Sequence, residues 1–309
     1  MKYPLITKKK ITSHFGVILA ILLALLLGIL FVEGRHAGRL ETEYEKWSEQ
    51  THLVQTMRSE LLASAEAEKS AVMADTDESS RAFAEQSEQA SQNVEKARLA
   101  LTALLEKNSR EAKLLDQFST AWEKLRDMDR QILLLAVQNT NLKALRLSTG
   151  PAAARLEQMQ AALDKLMDWA AQPSTNKARV VQLCAQAMTN SLNLHALETP
   201  HIFEATDTGM ELLEARMKPL DATVRQALNL LDVLVRGGSA KPWIAEARQA
   251  FEQFQTLHNE VLELSHQNTN VRSMEESLGQ KRRLMILCLS QLDALQEAVK
   301  ERATTKASR

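Results

Sequence analysis

The chain has 309 residues, room for two domains of ordinary size, with 38 basic and 39 acidic side chains. That near-balance leaves no global field to draw in nucleic acid. Aromatics at 4% beside abundant Ala, Leu, Glu, Gln, Lys and Arg exclude a β-rich fold and point to long helices. The expected class is all-α: one N-terminal transmembrane helix followed by two tandem up-down four-helix bundles.

The first element is the charge-free stretch Phe15–Val32, FGVILAILLALLLGILFV. As a helix it is roughly 27 Å long, close to the hydrocarbon thickness of a bilayer. Lys2, Lys8, Lys9 and Lys10 precede it, and mixed charges follow. The positive-inside bias then places residues 1–14 in the cytoplasm, 15–33 in the membrane and the remainder outside. A cleaved signal peptide is the competing reading; the length of the run and the lack of a small-x-small site after it favour an uncleaved anchor. LMILCLSQL near the C-terminus is too short to span. The expected location is the inner membrane, single-pass, with the bulk of the chain periplasmic.

From Arg39 to Thr149 there is neither Gly nor Pro, so breaks in that span rest on capping chemistry. ADTDES at Ala74–Ser79 offers Asp and Thr caps, and KNSRE at Lys107–Glu111 an Asn stop with a Ser start. Gly150–Pro151 and QPSTN at Gln172–Asn176 supply two further breaks. This spacing predicts helices near 36–74, 78–107, 110–148 and 151–171, a first bundle over 36–171.

The second half repeats the scheme. EATD at Glu204–Asp207 answers ADTD, RGGSAKP at Arg236–Pro242 answers the Asn-Ser break, and Gly279 stands for Gly150. Trp122 aligns with Phe251 and Leu125 with Phe254. A second bundle is expected over 177–303, with a polar tail over 304–309. Pro200 and Pro219 occur in the second copy only and predict kinked or shorter helices there. Cys184 and Cys288, at heights differing by roughly 10 Å along level helices, are expected as buried thiols and not a disulfide.

The tetrapeptide QNTN occurs twice, from Gln138 and from Gln267, a separation of 129 residues. In each copy an apolar stripe with alternating four-three spacing runs into it. The stripes are Leu114, Phe118, Ala121, Leu125, Met128, Ile132, Leu135, Asn139, Leu142 and Trp243, Ala247, Ala250, Phe254, Leu257, Val261, Leu264, Asn268, Val271. Asn139 and Asn268 therefore fall on the buried seam, flanked by Gln138 and Asn141 and by Gln267 and Asn270. A buried amide without partners costs on the order of 1–3 kcal/mol. Either a neighbouring helix satisfies it and fixes register, or a small polar ligand does so between helices. Both readings stand, and these six residues are the candidate ligand-binding set.

Other chemistry is sparse. No two of His52, His195, His201, His258 and His266 stand at HxxxH spacing and none combines with a cysteine, so no metal and no cofactor is expected. His266, directly before the second QNTN, is a pH-sensitive candidate or a solvated flank. Lys281, Arg282 and Arg283 read as a solvated basic run, or as a contact for an anion or the membrane surface. No phosphate loop, nucleophile elbow, HExxH or inward-facing acidic pair is recognisable, so an enzyme is not expected.

MADTDESSRAFAEQ after a basic tail and a membrane helix, with Trp122, Leu125 and ILLLAVQNTNLKAL in the third helix, resembles the four-helix-bundle sensory domain of methyl-accepting chemotaxis receptors. The likeness covers residues 8–171, and 177–303 looks like a second, divergent unit. The resemblance implies binding of small extracellular molecules at helix interfaces, as a homodimer, with helix shifts relayed through the membrane. Chemoreceptors continue into a cytoplasmic signalling part that is not recognisable here. The expectation is thus a sensory module that signals through a membrane or periplasmic partner. A helical scaffold or assembly protein binding another envelope protein is the alternative.

Overall fold

The computed structural model describes the backbone of residues 9–172, 177–235 and 238–307, and the side chains of 41–172, 177–235 and 238–305. Among them there are helices and no strands. In order these are α1 (Lys9–Met73), α2 (Asp77–Leu104), α3 (Arg110–Ala136), α4 (Thr140–Leu147), α5 (Ala153–Ala171) and α6 (Ala178–Ala196). Then follow α7 (Glu198–Ile202), α8 (Asp207–Leu234), α9 (Lys241–Gln267), α10 (Thr269–Glu276) and α11 (Arg282–Ala307). Two five-residue π turns, Ser148–Ala152 and Ser277–Lys281, join α4 to α5 and α10 to α11.

Helices begin where the capping residues stand. Thr76 Oγ1 accepts the Ser79 N–H at 3.1 Å and starts α2. Ser109 Oγ accepts the Ala112 N–H at 3.1 Å and starts α3, just after Asn108 takes a left-handed φ of 64°. Thr206 Oγ1 accepts the Gly209 N–H at 3.1 Å and starts α8. Pro242 sits in the first turn of α9, where its missing N–H costs nothing. Pro200 falls in the short α7 and Pro219 inside α8.

Three expectations change. The long third helix is not continuous: Asn139 and Asn268 adopt left-handed φ of 52° and divide α3 from α4 and α9 from α10. Asn is among the few residues that visit this region at low cost, because its short polar side chain bonds locally. Conversely, Gly150–Pro151 does not end a helix. Pro151 lies inside a π turn, where the wider winding accommodates a ring that lacks an N–H and would crowd the preceding turn.

The third change follows from the second. Because α5 continues onward from α4, it cannot turn back beside α2 and α3. It packs instead on α9 and α6, while α6 packs on α8. Leu156, Leu163 and Leu166 of α5 share one core with Leu183 and Cys184 of α6, Val224 and Leu231 of α8, and Phe251 and Phe254 of α9. The segment 151–171 thus belongs with 178–267, and the tandem division into 36–171 and 177–303 gives way to an insertion.

The chain forms two compact units. One comprises Leu62–Ser91 and Trp122–Ile286 and holds the α5, α6, α8, α9 bundle. The other comprises Met1–Leu61, Gln92–Ala121 and Leu287–Arg309, drawn from α1, α2, α3 and α11. In the latter Val54, Met57, Leu101, Phe118, Leu292 and Leu295 are buried, and Arg302 of α11 pairs with Glu106 and Glu111. Cys184 and Cys288 are both buried. Burial pushes the Cys184 thiol up to about 12.

Among the described residues no helix is long and apolar enough to cross a membrane. The expected span at 15–33 lies outside those whose side chains are described, as do residues 1–14 and the end of the polar tail at 306–309.

Candidate functional site

The two QNTN segments meet each other. Thr140 and Thr269 exchange backbone N–H to side-chain hydroxyl bonds, 3.2 Å each way. The Asn141 N–H donates to Asn270 Oδ1 and the Asn270 N–H to Asn141 Oδ1, both at 3.1 Å. Asn141 Nδ2 donates to Asn268 Oδ1 at 2.8 Å, and Asn270 Nδ2 to Asn139 Oδ1 at 3.0 Å. The remaining amide hydrogens leave the pair: Asn139 Nδ2 donates to Asp77 Oδ1 at 3.1 Å and Asn268 Nδ2 to the Glu204 carbonyl at 2.9 Å. Burial pushes the Asp77 carboxyl up, but the bonds from Asn139 and Lys143 outweigh it and hold the pKa below its ordinary value.

Asn139 and Asn268 are therefore inward, as the stripe predicts; the flanking Asn141 is buried as well, and Asn270 is half-buried. Gln138 and Gln267 are exposed, and Gln138 Nε2 returns to the Leu134 carbonyl. Neither of the two described clefts is lined by any of the six. For these residues the hydrogen bonds supply the protein partners that the register reading asks for. The amides at α4 and α10 cost little because they satisfy one another.

Two buried charged centres flank this junction, and neither is announced by short-range spacing. Lys281 Nζ lies 2.5 Å from Glu68 Oε2 and 2.6 Å from Asp129 Oδ1, with all three residues buried. Ser277 Oγ donates to Glu68 Oε2 at 3.2 Å. The basic run at 281–283 is thus not a solvated face at its first residue. Burial raises the Asp129 pKa to about 6, against the opposing pull of Lys281.

The counterpart uses a histidine in place of the aspartate. Glu198, 0% exposed, accepts from Ser148 Oγ at 2.5 Å and from His258 Nδ1 at 2.7 Å. His195 Nε2 donates to the Ser148 carbonyl at 3.0 Å. The 129-residue offset that pairs the two QNTN words also pairs Ser148 with Ser277 and Asp129 with His258. That offset was the available signal for these centres; the glutamates, one on α1 and one on α7, do not keep it.

Beside the second centre a cleft of about 260 Å³ opens between α8 and α9. His258 and Asn259 line one wall, Lys218, Asp221 and Arg225 the other, with Leu194 of α6 between them. Asp221 is already engaged by Arg225 at 2.9 Å and by Gln255. Lys218 is exposed, and no hydrogen bond from its ammonium is described.

At the top of α9, three further groups converge. Glu214 Oε1 lies 3.2 Å from His201 Nε2 and 2.6 Å from His266 Nε2. Burial lowers the His201 pKa, although Glu214 works against it. Burial alone would raise Glu214, but the two histidines that face it lower it overall. His266 is therefore half-exposed and engaged, not merely a solvated flank.

Residues 5–179 match the family model for the four helix bundle sensory module for signal transduction, more than half of the chain. No curated protein matches the sequence.

Proposed function

The chain belongs to the family of four helix bundle sensory modules for signal transduction, and from that premise we propose a membrane-anchored, non-enzymatic sensor of small polar molecules. The family match is the observation that carries this reading. Phe15–Val32, with four lysines before it, supports an anchor that leaves the helical bulk on the periplasmic side. The module acts as a homodimer and hands its signal to a membrane or periplasmic protein partner.

The α8–α9 cleft is the place for the ligand. It offers the Lys218 ammonium, the Arg225 guanidinium and the Asn259 amide above an apolar floor, suited to a small molecule carrying a carboxylate. Its His258 wall leads inward to Glu198 and so to Ser148 in the π turn after α4. A ligand that moves His258 therefore acts on the helix that begins with the first QNTN.

The test is thermal denaturation of the full chain in detergent against amino acids, organic acids and amines. A saturable rise in Tm with one compound class, reduced at least about tenfold in affinity by Lys218→Ala, supports the cleft. Absence of any shift, together with stoichiometric capture of an envelope protein by cross-linking, replaces the sensor with the helical scaffold.

A further inference from the structure

We infer that His201, Glu214 and His266 form a binding site for a divalent first-row transition-metal ion, of which Zn2+ is the reference case. The three residues come from α7, α8 and α9, and their ligand atoms lie within 4.8 Å of one another. No spacing rule finds them, because each comes from a different helix.

The hydrogen bonds around His201 fix which nitrogen is available. Ser265 Oγ donates to the His201 carbonyl at 2.9 Å, and a carbonyl can only accept. A hydroxyl has one proton, so at its 2.8 Å contact with His201 Nδ1 the serine must be the acceptor. Nδ1 therefore carries the hydrogen, and Nε2 of the neutral ring presents a lone pair. That lone pair faces Glu214 Oε1, itself an acceptor, at 3.2 Å in a buried setting. Two acceptors pointed at one another require a cation between or beside them.

A metal ion meets the requirement. In a tetrahedral site with ligands about 2.0–2.1 Å from zinc, neighbouring ligand atoms lie roughly 3.3 Å apart. The 3.2 Å and 2.6 Å separations here need only side-chain adjustment, and Glu214 and His266 are partly exposed and able to make it. The Ser265 bond to the far nitrogen of His201 is the kind of outer contact that orients a metal-ligating histidine. Two imidazoles and one carboxylate select a borderline ion such as Zn2+, Co2+ or Ni2+ over Mg2+ or Ca2+, which prefer oxygen alone. The half-exposed His266 leaves coordination positions open to solvent. The ion would join three helices two residues ahead of Asn268, at the break before α10. Glu214 also lines the α8–α9 cleft, so the metal titration is run with no organic ligand present.

The experiment uses the full chain, free of any affinity tag, in detergent. Zn2+ is titrated against a chromophoric chelator, and Co2+ is added separately to record its visible absorption. One equivalent of each ion is expected, with Zn2+ affinity falling at least about tenfold in His266→Gln and in Glu214→Gln. Ser265→Ala removes no ligand and should still weaken binding roughly 10–100-fold. Because His266 is half-exposed, His266→Gln should keep the wild-type far-UV circular dichroism, so that its loss reports the site and not unfolding. No saturable binding of either ion overturns the proposal. So does binding whose affinity and Co2+ spectrum are unchanged in both His266→Gln and Glu214→Gln. A third refuting result is 15N NMR of the ion-saturated protein showing a proton on His201 Nε2, which identifies the cation as H+.

Discussion

Thr140 and Thr269 each hold the other's backbone N–H by a side-chain hydroxyl, 3.2 Å in both directions, and the hydroxyls themselves are 3.2 Å apart. The two residues lie at the centre of a local two-fold relation that extends to the flanking asparagines. A polar word written twice thus serves as a reciprocal clasp, each copy being the other's partner.

The clasp should behave as a coupled unit. Thr140→Val strands a buried N–H of Thr269 and should lower stability by about 1–3 kcal/mol, as should Thr269→Val. The double variant should fall short of the sum by about the worth of the one bond both singles remove, the hydroxyl–hydroxyl bond, roughly 1 kcal/mol, since both backbone N–H groups stay stranded. Chemical denaturation of the four chains, read as a double-mutant cycle, measures this; single variants as stable as wild type refute the clasp, and strict additivity refutes the hydroxyl–hydroxyl bond.

Asn268 combines two demands, a left-handed backbone and two side-chain hydrogen bonds. Asn268→Leu meets neither. The backbone term is about 1–2 kcal/mol and the lost bonds to Glu204 and Asn141 add a similar amount, for a drop of about 3 kcal/mol. Asn139→Leu should act alike. Equal or greater stability in either variant, in the same denaturation assay, would mean the amides are not holding the junction.

Asp129 gives the protein a pH dependence of known sign. Its unfolded value is the ordinary 3.8, and burial raises it to about 6 in the fold, against the pull of Lys281. Between those limits the unfolded chain has released a proton that the native state keeps. Its contribution is therefore fully present below about 3.8, declines as pH rises to about 6, and is constant above. The decline is on the order of 3 kcal/mol. Tm measured from pH 4 to 7 should fall across this window relative to Asp129→Asn, whose profile lacks that component.

Lys281→Met leaves Glu68 and Asp129 buried without their shared cation and should cost about 3–5 kcal/mol at pH 7. Adding Glu68→Gln should recover a large part of the loss. Urea midpoints of the single and double variants decide it; a Lys281→Met chain as stable as wild type would show the ammonium to be dispensable.

The sequence revealed the elements better than their assembly. Caps at Thr76, Ser109 and Thr206 and the stripe through Phe118, Leu125 and Ile132 were readable, because each depends on residues within a few turns. The left-handed turn at Asn139 was not, since one Asn in an apolar stripe looks like any seam polar residue until its partners Asp77 and Asn270 are in place. Gly150–Pro151 misled for a different reason: local rules treat that pair as a stop, and only the wide turn shows how a helix passes through it. Glu68, Asp129 and Lys281 lie far apart in the chain and on three different elements, so nothing short-range announces them. The same holds for His201, Glu214 and His266.

The π turn after α4 carries one residue more than an α turn, and that surplus advances the helical phase by about 100°. Side chains before the turn and after it consequently look in different directions along what is otherwise one rod. In the first copy α4 lies against α9 and α10, whereas α5 lies against α9 and α6. A single inserted residue, in place of a loop, is what allows one rod to exchange neighbours midway along its length.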